Sequence, residues 1–263
     1  MSNGDTGGDG ARAGSQTLKS LERSFAIVKQ LKERDGAGVT ELATATGLSK
    51  SSVHKHLATL RQGDFVAKDG DTYRLGLRFL DFGGYVRNQI EGATLIREKL
   101  QELAEESGET AQFTVFEHGR AVVLYRETGS HGVFSKGRVG KRFYSHQTAA
   151  GKAMLAELAD DEVQSFIETH GLPAATENTI TDPDELFAEL ARIREHGFAV
   201  NDGESTDGLR AVAVAITGPD GGTLGAFAVA GPSHRMKDDR LETEIPALLH
   251  PIVNELELNL AHS

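Results

Sequence analysis

The side chains best suited to contact nucleic acid are concentrated between Ser49 and Gln62. This segment combines Lys and Arg with Ser, Thr and His and contains no Asp or Glu, although the 263-residue chain holds 39 acidic residues. Lys and Arg neutralise phosphates, and small polar side chains reach the base edges in a groove. The segment therefore predicts a surface that faces nucleic acid; a helix face that is only solvated is the alternative.

The apolar and polar residues of this segment separate onto two faces if its backbone is helical. Three apolar residues recur at helical spacing and should be buried: Val53, Leu57 and Leu60. The opposite face carries polar side chains: Ser51, Lys55, Thr59 and Gln62, flanked by Ser52 and His54. We expect base-edge contacts from Ser51, Ser52 and Lys55, and backbone contacts from Lys50, Thr59 and Arg61.

The flanking sequence predicts the elements that would present this helix. Leu18, Leu21, Phe25 and Val28 have the spacing of a buried helix face. A short helix from about Val39, capped near Thr40, stops at Gly47, and Ser49 is the N-cap of the next. Two helices joined by a tight glycine turn are the sequence form of a helix-turn-helix.

A hairpin is predicted directly after the basic helix. The segments 64–68 and 72–75 flank Asp69-Gly70-Asp71, and Asp-Gly is a favoured two-residue turn. A hairpin in this place is the wing of a winged helix-turn-helix. Lys68 and Arg74 on its strands would contact phosphates, whereas the two acidic residues of the turn would repel phosphates.

Charge is unevenly distributed along the chain. The formal net charge of −11 argues against a polyanionic partner. Residues 18–80, however, carry 11 Lys and Arg against 7 acidic residues, whereas residues 81–263 carry 16 against 30. The acidic excess therefore lies outside the segment expected to bind nucleic acid. One hypothesis for its size is a cytoplasm of high ionic strength, that is, a halophilic source.

Several function classes have no support in the sequence. The chain has no Cys, which excludes disulfides, thiolate metal sites and a Cys nucleophile. Gly151-Lys152 lacks the rest of a phosphate loop, no Gly-x-Ser-x-Gly elbow occurs, and the histidines show no ligand spacing. No apolar run is long enough to span a bilayer. We expect a cytoplasmic protein with no catalytic residue, no metal and no cofactor.

The remainder of the chain predicts an α+β domain behind a helical connector. Strand patterns occur at 112–116, 121–125, 198–200, 211–216 and 224–229. Helical patterns occur at about 148–158, 160–170, 182–196 and 238–260. Apolar residues in the connector, among them Leu77, Leu80 and Tyr85, would suit dimerisation if they are exposed.

The chain resembles the IclR-type transcriptional regulators over nearly its whole length. The resemblance is carried by Leu48-Ser49-Lys50-Ser51-Ser52-Val53-His54-Lys55 and Tyr73-Arg74-Leu75-Gly76, then by the segments 139–142, 146–156, 194–204, 208–213 and 231–235. It implies an N-terminal all-α winged helix-turn-helix joined by a helical linker to a GAF-like antiparallel-sheet domain with helices. It also implies a dimer or tetramer that represses or activates transcription. The family commonly has Arg at Lys55 and Leu at His56.

The same resemblance implies a cavity for a small-molecule effector. Its usual lining matches seven positions: Ala149, Ala150, Asn201, Leu209, Ala211, Ala228 and Ala230. Other members often have Asp, Cys or Ser where this chain has Asn201 and the last three alanines, so a roomier, less polar cavity is expected. Open N–H groups at a helix start suit an anion, and the anion expected in such a cavity is an organic acid or related metabolite. Alanines packed only as sheet core are the alternative.

These inferences combine into one expected organisation. Residues 1–15 form a disordered tail, 16–76 the winged helix-turn-helix DNA-binding domain, 77–107 the helical linker and 108–263 the effector-binding domain. The expected function is sequence-specific binding of a double-stranded DNA operator, regulated by a metabolite that changes the relative orientation of two wings. The alternatives are an enzyme that metabolises a small acid, with the helix-turn-helix serving only assembly, and an RNA-binding winged helix.

Overall fold

The computed structural model describes residues 17–132 and 137–262. The chain divides into two compact units, one up to Gln89 and one from Ile90. The tail predicted over residues 1–15 lies outside the described residues. The predicted connector contributes one helix to each unit.

The first unit is a helical bundle with a two-stranded hairpin. Its elements are α1 (Lys19–Glu33), α2 (Val39–Thr46), α3 (Lys50–Gln62), β1 (Val66–Asp69), β2 (Thr72–Leu75) and α4 (Arg78–Asn88). One small core joins α1, α2, α3 and the hairpin: Ile27, Leu31, Ala37, Leu42, Val53, Leu57, Val66 and Tyr73. The predicted helix-turn-helix and wing are therefore present in this order.

The buried face of α1 differs from the prediction. Leu18, Leu21 and Phe25 are 71%, 51% and 63% exposed, and the helix instead buries Ile27 and Leu31. The helix carries two apolar stripes, and the packing of the unit covers only the second. The cap predicted near Thr40 was also wrong, because Gly38 is the N-cap of α2 and its N–H donates to the Glu41 carboxylate over 2.8 Å.

The second unit is a six-stranded antiparallel sheet with helices on both faces. Its elements are α5 (Ala93–Ser107), β3 (Thr110–Glu117), β4 (Arg120–Thr128), β5 (Arg142–Tyr144), α6 (Ala149–Ala156), α7 (Asp160–His170), α8 (Pro183–His196), β6 (Ala199–Asp202), β7 (Leu209–Thr217), β8 (Thr223–Pro232) and α9 (Ile245–Ala261). The strand order is β5-β4-β3-β8-β7-β6. The predicted α+β class is confirmed.

One element of this unit was missed by the sequence analysis, and one predicted helix needs correction. The three-residue strand β5 was not predicted, because it is too short to show a period-two pattern. The helix expected over 238–260 is α-helical only from Ile245 and is preceded by a π-helical turn over Arg240–Glu244.

Side-chain volume alternates along the central strands. In β7 and β8 the residues on one face are large, such as Val212, Val214, Phe227 and Val229, and pack against α5 and α9. Those on the other face are alanines: Ala211, Ala213, Ala226, Ala228 and Ala230. Successive residues of a strand point to opposite faces, so this alternation gives the sheet one face of large side chains and one of small side chains. The small face packs under α6, α7 and α8.

Candidate DNA-binding surface and ligand cavity

Helix α3 presents a continuous polar face to solvent. Ser49 caps the helix by accepting a hydrogen bond from the Ser52 backbone N–H over 3.2 Å. Val53 and Leu57 are buried, which leaves Ser51, Lys55 and Thr59 exposed in one line at a spacing of four residues. The Thr59 hydroxyl donates to the Lys55 carbonyl over 3.1 Å, so it is partly used within the helix. The polar face predicted from the sequence is confirmed as an exposed surface.

The other predicted DNA contacts lie at the ends of α3 and on the hairpin. Lys50, Arg61, Lys68 and Arg74 are exposed. Lys68 and His54 line one shallow groove, and the Lys68 ammonium lies 5.5 Å from the centre of the Tyr73 ring. The structure therefore places cations on both the helix and the wing.

Ser52 and His56 are half-buried rather than fully exposed. The His56 Nδ1 lies 2.9 Å from the Ser24 hydroxyl, which joins α3 to α1. No local pattern predicts this contact, because the two residues are far apart in the chain.

The second unit contains a cavity of about 320 Å³ on the small face of the sheet. All seven residues predicted to line an effector site border it: Ala149, Ala150, Asn201, Leu209, Ala211, Ala228 and Ala230. Sequence reasoning missed further lining residues: Gln112, Thr114, Ala121, Val123, Phe143, Thr148 and the turn over 205–208. The missed residues come from three strands, a helix start and a turn, so only the folded chain brings them together.

The start of α6 forms one wall of the cavity. The Thr148 hydroxyl accepts from the Gly151 N–H over 3.0 Å and caps the helix. The N–H groups of Ala149 and Ala150 belong to the first turn, where no intrahelical acceptor exists. A side chain at Gly151 would collide with the Ser145 backbone, so glycine allows the close packing of this turn. The wall therefore presents hydrogen-bond donors and a positive helix end.

Acceptor groups lie elsewhere on the cavity lining. Asn201 is only 2% exposed; its Nδ2 donates to the Gln147 carbonyl over 2.5 Å, and its Oδ1 has no hydrogen-bond partner among the described residues. Asp207 lies exposed on the turn that borders the cavity. Within the described part of the lining there is no Lys, Arg or His side chain. The lining thus combines an alanine-rich surface, one wall of donors and separate acceptors.

A buried ion cluster lies next to the cavity. The Lys152 side chain is 1% exposed, and its ammonium lies 2.7 Å from Glu204 Oε1 and 2.8 Å from Glu189 Oε1. Burial raises the pKa of Glu204, and the charge of Lys152 opposes that rise. The sequence shows Gly151-Lys152 only as an incomplete phosphate loop, because nothing local indicates that the partners of Lys152 lie on distant elements.

Within the described part of the chain, other titratable groups do not form a metal site. Burial lowers the pKa of His146, whose Nε2 donates to the Pro173 carbonyl over 3.1 Å. Over residues 17–132 and 137–262, no group of three His, Asp or Glu side chains could hold a metal ion. No helix in those ranges is long and apolar enough to cross a membrane.

Two family models match the chain and together cover most of it. The IclR helix-turn-helix domain matches residues 20–70. The C-terminal model of bacterial IclR transcriptional regulators matches residues 88–256. The two matches correspond to the first and second units.

Relatives and solved structures agree with these matches. The chain is 32% identical to the "Probable HTH-type transcriptional regulator ArcR" of Halobacterium salinarum, covering 92% of this chain and 94% of that protein. It is 29% identical to the transcriptional repressor IclR of Escherichia coli, covering 92% and 89%. The relatives named here are regulators, not enzymes.

The fold also matches solved structures. The IclR structure from Thermotoga maritima superposes with a TM-score of 0.77 at 24% identity, covering 93% of this chain and all (100%) of that one. An IclR homolog from Microbacterium hydrocarbonoxydans, complexed with 4-hydroxybenzoate, gives a TM-score of 0.77 at 20% identity over 93% and 100%. The chain belongs to the IclR family: it is a transcriptional regulator with an N-terminal helix-turn-helix and a C-terminal domain of the effector-binding type.

Proposed function

We propose that this regulator binds a duplex DNA operator through α3 and the hairpin and responds to an organic monoanion bound on the small face of the sheet. The observation that carries the proposal is the cavity, which is bordered by the first residues of α6 and by an alanine-rich lining. A carboxylate suits the helix start, and an apolar body suits the alanines.

The proposed DNA contacts follow from the exposed surface of the first unit. Ser51, Ser52 and Lys55 lie on the helix that would enter the major groove and are assigned to base edges. The backbone contacts are assigned to Lys50, His54, Thr59, Arg61, Lys68 and Arg74.

The effector class is narrowed by the charges around the cavity. A single carboxylate has donors at α6, whereas a second one would meet the Asp207 carboxylate and the Asn201 Oδ1 acceptor. The Asn201 acceptor favours a ligand that also carries a hydroxyl or other donor. In the Microbacterium homolog the bound molecule is 4-hydroxybenzoate, which has one carboxylate, an apolar ring and a hydroxyl.

An assembly of two copies or a multiple of two is proposed from the apolar surface of the first unit. Leu77, Leu80 and Tyr85 of the predicted connector are 81%, 71% and 66% exposed, and Leu18 and Phe25 of the α1 region are also exposed. Clusters of exposed apolar side chains mark interaction surfaces. A second copy would cover them and allow two half-sites about 34 Å apart to be bound together.

The effector must bind the DNA-competent and DNA-incompetent states with different affinities. A ligand with equal affinity for both states would change nothing, however tightly it bound. Full-length protein titrated with operator DNA, with and without the acid, measures this coupling directly.

The DNA-binding part is tested by Lys55→Glu. We expect specific binding to a duplex identified by genome-wide footprinting to fall by at least about a hundredfold, because a carboxylate would face base edges and phosphates. Lys29→Glu, at an exposed lysine of α1, is the matched control and should bind nearly as wild type. An unchanged footprint with Lys55→Glu contradicts the proposal. Preference for structured RNA, or turnover of the acid by the protein, would favour the two alternatives.

A further inference from the structure

Lys152 occupies a position in which an uncharged residue would be expected. It lies in α6 between small residues that pack on the sheet, and its side chain is almost completely buried. Removing ions from water costs several kcal/mol each, and an apolar residue of similar volume often gives equal or higher stability. Stability alone therefore does not account for a lysine here.

The two carboxylates that Lys152 binds come from distant elements. Glu189 lies on α8 and is also held by Arg192, whose Nη2 lies 2.6 Å from Glu189 Oε2. Glu204 lies in the turn after β6, and its Oε2 has no hydrogen-bond partner among the described residues. Apart from that ammonium, Glu204 Oε1 accepts a long hydrogen bond of 3.5 Å from the Asp202 N–H, so the Lys152 ammonium is the closest group that holds this side chain.

The turn that contains Glu204 continues directly into the rim of the cavity. Residues 205–208 border the cavity, and Ala149 and Ala150 of α6 border it from the wall. The backbone of the turn has its own ties: Gly203 N–H donates to the Leu209 carbonyl over 3.0 Å, and the Thr179 hydroxyl donates to the Glu204 carbonyl over 2.7 Å. The Lys152–Glu204 ion pair is the side-chain interaction that joins this turn to α6.

We propose that Lys152 is a positioning residue for the effector site, which holds the turn over 203–209 at a fixed distance from the start of α6. It does not touch the ligand. Its ammonium keeps the turn, which carries the Asp207 acceptor, at a fixed distance from the N–H donors at the start of α6. Ligand affinity therefore depends on Lys152. This inference rests on the proposed effector site, but the positioning itself can be measured without a ligand.

The first experiment is hydrogen exchange on the full chain carrying Lys152→Met. The amides of Gly203 and Leu209, which are hydrogen-bonded within the turn, should exchange at least about tenfold faster, because Glu204 is left buried without its counter-charge. Amides of β3 and β8 should keep their protection.

Lys99→Met is the matched control. The Lys99 ammonium also lies close to two glutamates, at 2.9 Å from Glu102 and 2.6 Å from Glu255, but it joins α5 to α9 on the other face of the sheet. This variant should leave exchange at Gly203 and Leu209 unchanged. Wild-type exchange in Lys152→Met, or equal loosening of the turn in Lys99→Met, would overturn the proposal.

Two Glu204 variants keep the test decisive if Lys152→Met unfolds the whole unit. Glu204→Gln keeps an oxygen that can accept from Lys152 and should retain most of the protection of the turn. Glu204→Leu removes it and should loosen the turn. Equal exchange in these two variants would refute the positioning role.

The ligand arm uses benzoate and 4-hydroxybenzoate as probes. If wild type binds either acid, Lys152→Met should weaken binding by about tenfold or more, and Lys99→Met should not. If wild type binds neither acid, the proposed effector class fails, and the exchange experiment still decides whether Lys152 positions the turn.

Discussion

The two faces of the six-stranded sheet are made from the same strands but from side chains of very different volume. On one face, Val212, Phe227 and Val229 are 0% exposed and fill a continuous core with α5 and α9. On the other, Ala211, Ala228 and Ala230 are 9%, 5% and 8% exposed and leave the cavity under α6. A single strand thus contributes to stability on one side and to a ligand-sized space on the other.

This comparison shows how the fold separates two requirements. Protein interiors are close-packed, and each missing methylene is felt as a loss of contacts. A cavity is therefore tolerated only where the rest of the domain supplies enough packing. Here the large face supplies that packing, and the small face is free to remain open.

The largest effect is expected on the large face. Phe227→Ala should lower the free energy of unfolding by about 3–5 kcal/mol, because it removes a fully buried ring that contacts Phe113 and leaves a void. Urea unfolding of wild type and variant measures this loss. A decrease below about 1 kcal/mol would mean that the two faces do not differ in packing as described.

Filling the small face should damage binding rather than folding. Ala228→Leu places a larger side chain in the cavity and should weaken binding of a carboxylate that wild type binds by about a hundredfold, with little change in unfolding free energy. Isothermal calorimetry and urea unfolding check the two parts. Val229→Leu, at the next residue on the large face, is the control and should reverse the pattern: unchanged ligand affinity and a measurable loss of stability.

A smaller effect is expected from the one polar side chain of β6 on this cavity. Asn201→Leu removes the unpartnered Oδ1 and should reduce the preference for 4-hydroxybenzoate over benzoate by about tenfold, since one hydrogen bond is worth about that much. Competition between the two acids provides the measurement. An unchanged preference would show that Asn201 Oδ1 does not meet a ligand donor.

The smallest effect is expected in the pH dependence of unfolding and comes from Glu204, which lies beside the small face. The pKa of Glu204 is raised by burial, so between its ordinary value and the raised one the folded protein binds more protons at this residue than the unfolded chain. Its contribution therefore favours folding at lower pH and is lost as the pH rises through the raised pKa. The free energy of unfolding is measured against pH for wild type and for Glu204→Gln. The difference between the two curves should fall as the pH rises through the raised pKa of Glu204. A difference that stays flat at every pH above 4.5, the ordinary pKa of a glutamate, would contradict it.

Much of the fold could be predicted from regular patterns in the sequence. The exposed face of α3 and its Ser49 cap follow from helical spacing and local hydrogen bonding, and the strands follow from period-two alternation. The stripe on α1 was assigned wrongly, since spacing shows that Leu21 and Phe25 share a face but not whether another element covers it.

The cavity was less accessible to pattern reasoning. Its alanines were named through the family resemblance, because an alanine in a strand looks the same whether it borders a core or a cavity. The turn at 205–208 and the Lys152–Glu204 pair depend on elements that are distant in the chain, and no local spacing encodes them. Long-range ion pairs of this kind become visible only when the chain is folded.

The alternation of volume along β7 and β8 also determines which mutations the protein can survive. Almost every substitution at Ala211, Ala228 or Ala230 adds atoms, whereas most substitutions at Phe227 remove them. Loss of atoms on the large face would deplete the cell of folded protein. Gain of atoms on the small face would leave a folded regulator that no longer responds to its effector. Mutations in these strands should therefore fall into two classes. Those on the large face remove the protein, and those on the small face make it unresponsive.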